Sequence, residues 1–166
     1  MTITTEEVLL LRRSIALAAE ALDAGDAPFG SVLAVEGEET QHEDRNRTVT
    51  TGDATRHPEF ELARWAAANL TAEQRARATV YTAAHAWVGL ARIVYVASAA
   101  QLEAWKAEWG VPTAAAAKTT EGGGGVVTPT VAALPAGTVA PGVVVEGPVE
   151  ELVPAIRELH RRHAGV

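Results

Sequence analysis

The sequence predicts an α/β protein built as a three-layer α/β/α sandwich around a mixed sheet of about five strands. Three observations predict this. Segments of helical and of strand periodicity alternate along the chain. The strand-like runs are short and bounded by turn residues. At 166 residues, 48% of them hydrophobic, the chain is long enough to bury one sizeable core.

Thr4, Thr5, Glu6 and Glu7 form a capping-box pattern that opens a helix. Val8, Leu11, Ile15, Ala18 and Leu22 follow at helical spacing, and Gly25 ends the run, so the first helix is expected over residues 5–24. A turn over residues 26–30 leads into a short buried strand at 31–35. Gly37 permits a reversal into a second, more polar strand within 39–46, with one face exposed. Residues 48–56 read as a polar loop. Pro58 suits a first helical turn, where its missing N–H costs nothing. The second helix is expected over 58–69, with Leu62, Ala63, Ala66 and Leu70 inward.

Residues 78–82 read as the third strand, 83–90 as a short apolar helix and 92–97 as the fourth strand. Ser98 and Gln101 open a further helix by capping box, with Leu102, Trp105 and Trp109 available for packing. Residues 111–142 differ in kind. They hold an alanine run, Gly122 to Gly125, and Pro112, Pro129, Pro135 and Pro141. They read as a loop insertion within a single domain spanning 1–166. A fifth strand at 143–145 and a last helix at 150–163, limited at its start by Pro154, complete the pattern.

Composition excludes several functions. No apolar run approaches the roughly 18–20 residues needed to span a bilayer, so no membrane association is expected. The start lacks a basic region, so a secretory signal is not expected and a cytoplasmic location is. A formal net charge of −7 argues against non-specific nucleic-acid binding. The basic cluster Arg157, His160, Arg161, Arg162 and His163 reads as a solvated last helical turn that complements the helix dipole. The chain has no cysteine, which excludes disulfides, thiolate metal sites and cysteine nucleophiles. The glycine run is no phosphate loop, since no Lys follows it.

One ordered set of segments carries chemistry. It comprises Pro28-Phe29-Gly30-Ser31-Val32, Arg45-Asn46-Arg47, His57-Pro58-Glu59, Thr79-Val80-Tyr81-Thr82 and Ala91-Arg92-Ile93-Val94-Tyr95. The set resembles the cytidine-deaminase-like superfamily, and most closely its nucleoside and guanine deaminases. The resemblance covers residues 5–110 and, more loosely, the final helix. Such enzymes remove an exocyclic amine from a base by hydrolysis. Their zinc, held by one His and two Cys, lowers the pKa of a bound water. The resemblance implies His57 as the zinc-ligand position and Glu59 as the catalytic proton shuttle. It implies Asn46 as a base contact and Phe29 as a wall of the pocket.

The departure lies after the third strand. There the family continues with P-C-x-x-C, whereas Tyr81-Thr82 here runs directly into Ala83-Ala84-His85-Ala86-Trp87. The segment is about eight residues shorter than the pattern, and both thiolates are gone. One His cannot hold a catalytic zinc, which usually keeps three protein ligands. No cofactor is therefore expected, although the resemblance implies zinc.

Two readings follow. The first is a divergent nucleoside or nucleobase deaminase-fold protein that has lost ordinary zinc chemistry and binds a small nitrogen heterocycle, with Phe29, Asn46, His57, His85 and Trp87 around it. The second is a working enzyme. It is either a deaminase with substitute ligands, His57 and His85 aided by Asp53 or Glu61, or a metal-free acid–base catalyst using Glu59. Trp65, Trp105 and Trp109 read as packing residues. The apolar stretch 83–90 is the expected face of a homodimer, since the family associates through helices flanking its site.

Overall fold

The computed structural model describes residues 3–39, 41–84, 91–112 and 142–166. The first helix, α1 (Thr5–Asp23), starts as its capping box requires: Thr4 accepts from the Glu7 amide and the Glu7 carboxylate returns the bond. It is followed by β1 (Gly30–Val35), β2 (Gln41–Arg45), the single turn α2 (Thr48–Thr51) and α3 (Pro58–Asn69). Then come another single turn, α4 (Ala72–Arg75), and β3 (Ala78–Ala84), β4 (Arg92–Ala97), α5 (Ala99–Glu108), β5 (Val144–Glu146) and α6 (Val153–Ala164).

The strands form one five-stranded sheet in the order β2-β1-β3-β4-β5. The β2–β1 and β1–β3 pairs are antiparallel; β3–β4 and β4–β5 are parallel. The sheet is mixed, as expected. Side chains alternate across it, so Val32 and Leu33 enter different cores. On one face Leu11, Leu17, Val32, Val94, Val96, Leu102, Trp105, Ile156 and Leu159 join α1, α5 and α6. On the other, Leu33, Val35, Leu62, Ala66, Leu70 and Val80 seat α3. This is the expected three-layer sandwich.

The first helix lies very close to β1. A Cβ on Gly30 would stand 2.5 Å from both Leu17 Cβ and the Ser14 carbonyl oxygen. Gly30 therefore serves close packing as the first residue of β1, not the preceding turn.

Two local expectations are corrected, and one turn is added. Strand β3 runs on to Ala84, which pairs with Ala97, so the helix expected at 83–90 does not include its first two residues. Residues 85–90 lie outside the described residues, as does almost all of the insertion expected at 111–142. The loop expected at 48–56 contains α2, closed by Gly52 in the left-handed region at φ 67°. The turn α4 was readable and missed: Thr71 and Gln74 form a reciprocal capping box.

Seven residues, 85–91, join β3 to β4. Parallel strands ordinarily need a crossover of about a dozen or more. The connection is thus short at the place where the sequence lacks its P-C-x-x-C segment.

Candidate functional site

The antiparallel register of β1 and β3 sets Ser31 opposite Thr82. Both are fully buried, and their hydroxyls lie 3.0 Å apart. Above them begins α3, with His57 as N-cap residue and Pro58 in its first turn. That start drops Glu59 into the interior, 2% exposed. Ser31 Oγ and Thr82 Oγ1 both donate to Glu59 Oε1, each at 2.9 Å. The other oxygen, Oε2, meets His57 Nδ1.

The electrostatics favour an ion pair. Burial alone would raise the Glu59 pKa, but the His57 charge, its hydrogen bond and the Thr82 hydroxyl outweigh it and hold the carboxyl low. Burial likewise works against charge on His57, and the Glu59 carboxylate outweighs that and raises its pKa. The imidazole side chain is 26% exposed, so it forms the accessible edge of the pair.

Phe29 stands against His57, with ring centroids 4.9 Å apart. Its other neighbour is His160 of α6, edge-on at 5.2 Å. His160 is 6% exposed and also approaches Trp105. The basic cluster is therefore not uniformly solvated. Arg161, Arg162 and His163 are exposed, while His160 follows Ile156 and Leu159 onto the inward face. A histidine four residues after an inward isoleucine was the available signal.

Asn46 is brought beside the same loop but is occupied by backbone. Its Nδ2 donates to the Ala27 carbonyl, and its Oδ1 accepts from the Thr48 amide. It fastens the β2–α2 connection to the loop that carries Phe29, and among the described residues it has one N–H left beyond those bonds. Asp26, which the sequence reading passed over, does more of the same. It is fully buried and accepts from the Val49 amide, the Thr50 amide and the Thr50 hydroxyl, at 2.7–2.9 Å. Arg45 Nη1 lies 3.5 Å from its other side.

Candidate residues His85 and Trp87 lie outside the described residues. The suggested oxygen donors are engaged elsewhere. Asp53 accepts from the Thr55 amide and hydroxyl, and Glu61 pairs with Arg56 and Arg64. Trp65 stacks on His42, and Trp105 packs in the core beside Trp109.

Zinc, which the resemblance implies, needs about three protein ligands. Among the described residues, no group of three or more His, Cys, Asp or Glu side chains is placed to hold a metal. The one imidazole at the family ligand position directs Nδ1 at a carboxylate. The donor set in the described residues does not fit the ion.

No protein-family model matches the chain, and neither does any curated protein. Solved structures do. A guanine deaminase from Nitrosomonas europaea is 17% identical, covers 100% of this chain and 88% of its own, and superposes with a TM-score of 0.63. A point-mutant structure in complex with 8-azaguanine is 17% identical over 99% of this chain and 87% of its own, with a TM-score of 0.65. The guanine deaminase of Bacillus subtilis is 23% identical over 83% and 90% of the two chains, with a TM-score of 0.52. The chain has the cytidine-deaminase-like fold. It is a cysteine-free version of that fold, and among the described residues no helix is long and apolar enough to cross a membrane.

Proposed function

We propose that the protein binds a small, flat nitrogen heterocycle of the nucleobase type beside His57 and does not carry out ordinary zinc-dependent deamination. The observation that carries this is the His57–Glu59 pair, which holds the two H-x-E side chains against each other in a chain without thiolates. Burying an ion pair is not an efficient way to stabilise a fold, because desolvation offsets much of the attraction. A buried pair with one accessible edge fits a binding role better. Phe29 supplies an apolar ring beside that edge. The likeness in fold to a protein bound to 8-azaguanine supports the ligand class.

The competing reading is metal-free acid–base catalysis through Glu59, favoured by its burial and its hydroxyl partners. A thermal-shift screen of nucleobases and nucleosides, run beside an ammonia-release assay, separates the two. Binding without turnover is the expected result. Turnover abolished by Glu59→Gln and insensitive to chelators would establish the second reading. Stoichiometric zinc in the purified protein, lost on His57→Ala or His85→Ala, would overturn the loss of zinc chemistry.

The proposal includes a cytoplasmic homodimer; of the face expected for it at 83–90, Ala83 and Ala84 belong to β3 and are not available. Light scattering that reports a 17.4 kDa particle at all working concentrations would reject the dimer.

A further inference from the structure

Resting on the reading that a flat heterocycle binds here, we infer that His57 meets it through Nε2, while Glu59 is only the positioning carboxylate behind the ring. This reverses the roles that the family resemblance implies, in which the imidazole is a zinc ligand and the carboxylate is the proton shuttle.

The geometry of Glu59 is the first ground. Its Oε1 takes two hydroxyl hydrogen bonds from neighbouring strands, and its Oε2 faces His57 Nδ1. At 2% exposure the carboxylate is enclosed by β1, β3 and the start of α3. To face a ligand it would have to leave all three partners. The second ground is His57. Its Nδ1 is committed to Glu59, and among the described residues no protein group hydrogen-bonds Nε2. The side chain is the exposed member of the pair. A ring whose one nitrogen is held by a carboxylate has its orientation set, and the other nitrogen becomes the working atom. Phe29 packs at 4.9 Å and restricts rotation of the imidazole further. His160 packs edge-on against Phe29 and restricts that ring in turn. A heterocycle edge carrying a ring nitrogen or carbonyl fits a single imidazole nitrogen beside an aromatic face.

Isotope-labelled histidine in the full chain, followed by long-range proton–nitrogen correlation spectra, tests this with 8-azaguanine as the probe. In the free protein, Glu59→Gln should move the Nδ1 signal of His57, with circular dichroism unchanged. On addition of 8-azaguanine the Nε2 signal of His57 should move and Nδ1 should hold. His57→Ala should weaken the probe roughly tenfold, about one hydrogen bond. Binding of 8-azaguanine that leaves both His57 nitrogens unmoved would overturn the inference while sparing the binding reading. A free-protein Nδ1 signal indifferent to Glu59→Gln would also overturn it. If no nucleobase or nucleoside binds, the reading beneath it fails, and the ligand-facing role of His57 fails with it.

Discussion

Glu59 gathers a hydroxyl from each of two strands and an imidazole from its own helix. Its removal would take an acceptor from Ser31 and Thr82, which keep each other, and the carboxylate from His57. Glu59→Ala should therefore destabilise the fold by about 1–3 kcal/mol, measured by urea unfolding, because buried hydroxyls lose their acceptor while the imidazole, 26% exposed, can be solvated. Asp26 gives a pH prediction. Burial alone would raise its pKa, but the amide and hydroxyl of Thr50, the Val49 amide and Arg45 outweigh this and hold it below its ordinary value of 3.8. A carboxyl that is more acidic in the folded state adds stability that is complete above pH 3.8 and lost as pH falls through the folded pKa. Asp26→Asn should lie well below wild type at neutral pH, and the gap should close below pH 3.8; acid–urea titrations of both proteins would show it. A constant gap would mean that Asp26 acts by shape alone. His57 and Glu59 were legible because they sit two residues apart in one motif. Asp26 and His160 were not, since their partners lie 19–24 residues away in the first case and 131 in the second (160 less 29).

Caps made some elements readable, as Pro58 did for α3, although the capping box of α4 was missed. The helices α1 and α5 begin where Thr4 with Glu7 and Ser98 with Gln101 place them. The end of β3 was not readable, because Ala83 and Ala84 suit a helix as well as a strand. Tertiary pairing with β4 decides the matter, a case of context overriding propensity. The close seat of α1 on β1 was equally hidden. A glycine after Pro28 and Phe29 looks like a turn, and only the helix lying across it shows otherwise. Gly30→Ala should cost about 2–3 kcal/mol through overpacking, read as a lowered melting temperature, since the new methyl meets Leu17 and the Ser14 carbonyl. An unchanged melting temperature would show that α1 can retreat freely. Such a retreat would also disturb Ser31, the next residue, and so the Glu59 cradle.

At the scale of the whole molecule, among the described residues the sheet ends in β2 at one edge and β5 at the other. An open edge is a template for aggregation, because its unpaired amides and carbonyls can accept a strand from another copy. Both edges here are poor templates. The β5 edge is three residues long. The β2 edge reads Gln-His-Glu-Asp-Arg, and Glu43 is gripped by Arg13, itself bonded to Glu20. A second copy adding to this edge antiparallel would bring like charges together and would have to accommodate that ion-pair cluster. Glu43→Val leaves β2 more apolar and frees the flank. That variant should become turbid sooner than wild type on heating at equal concentration, with dye binding typical of cross-strand assemblies. Equal turbidity would show that edge length, and not charge, protects the sheet. The few charges on a five-residue strand would then matter to colloidal behaviour less than their placement suggests.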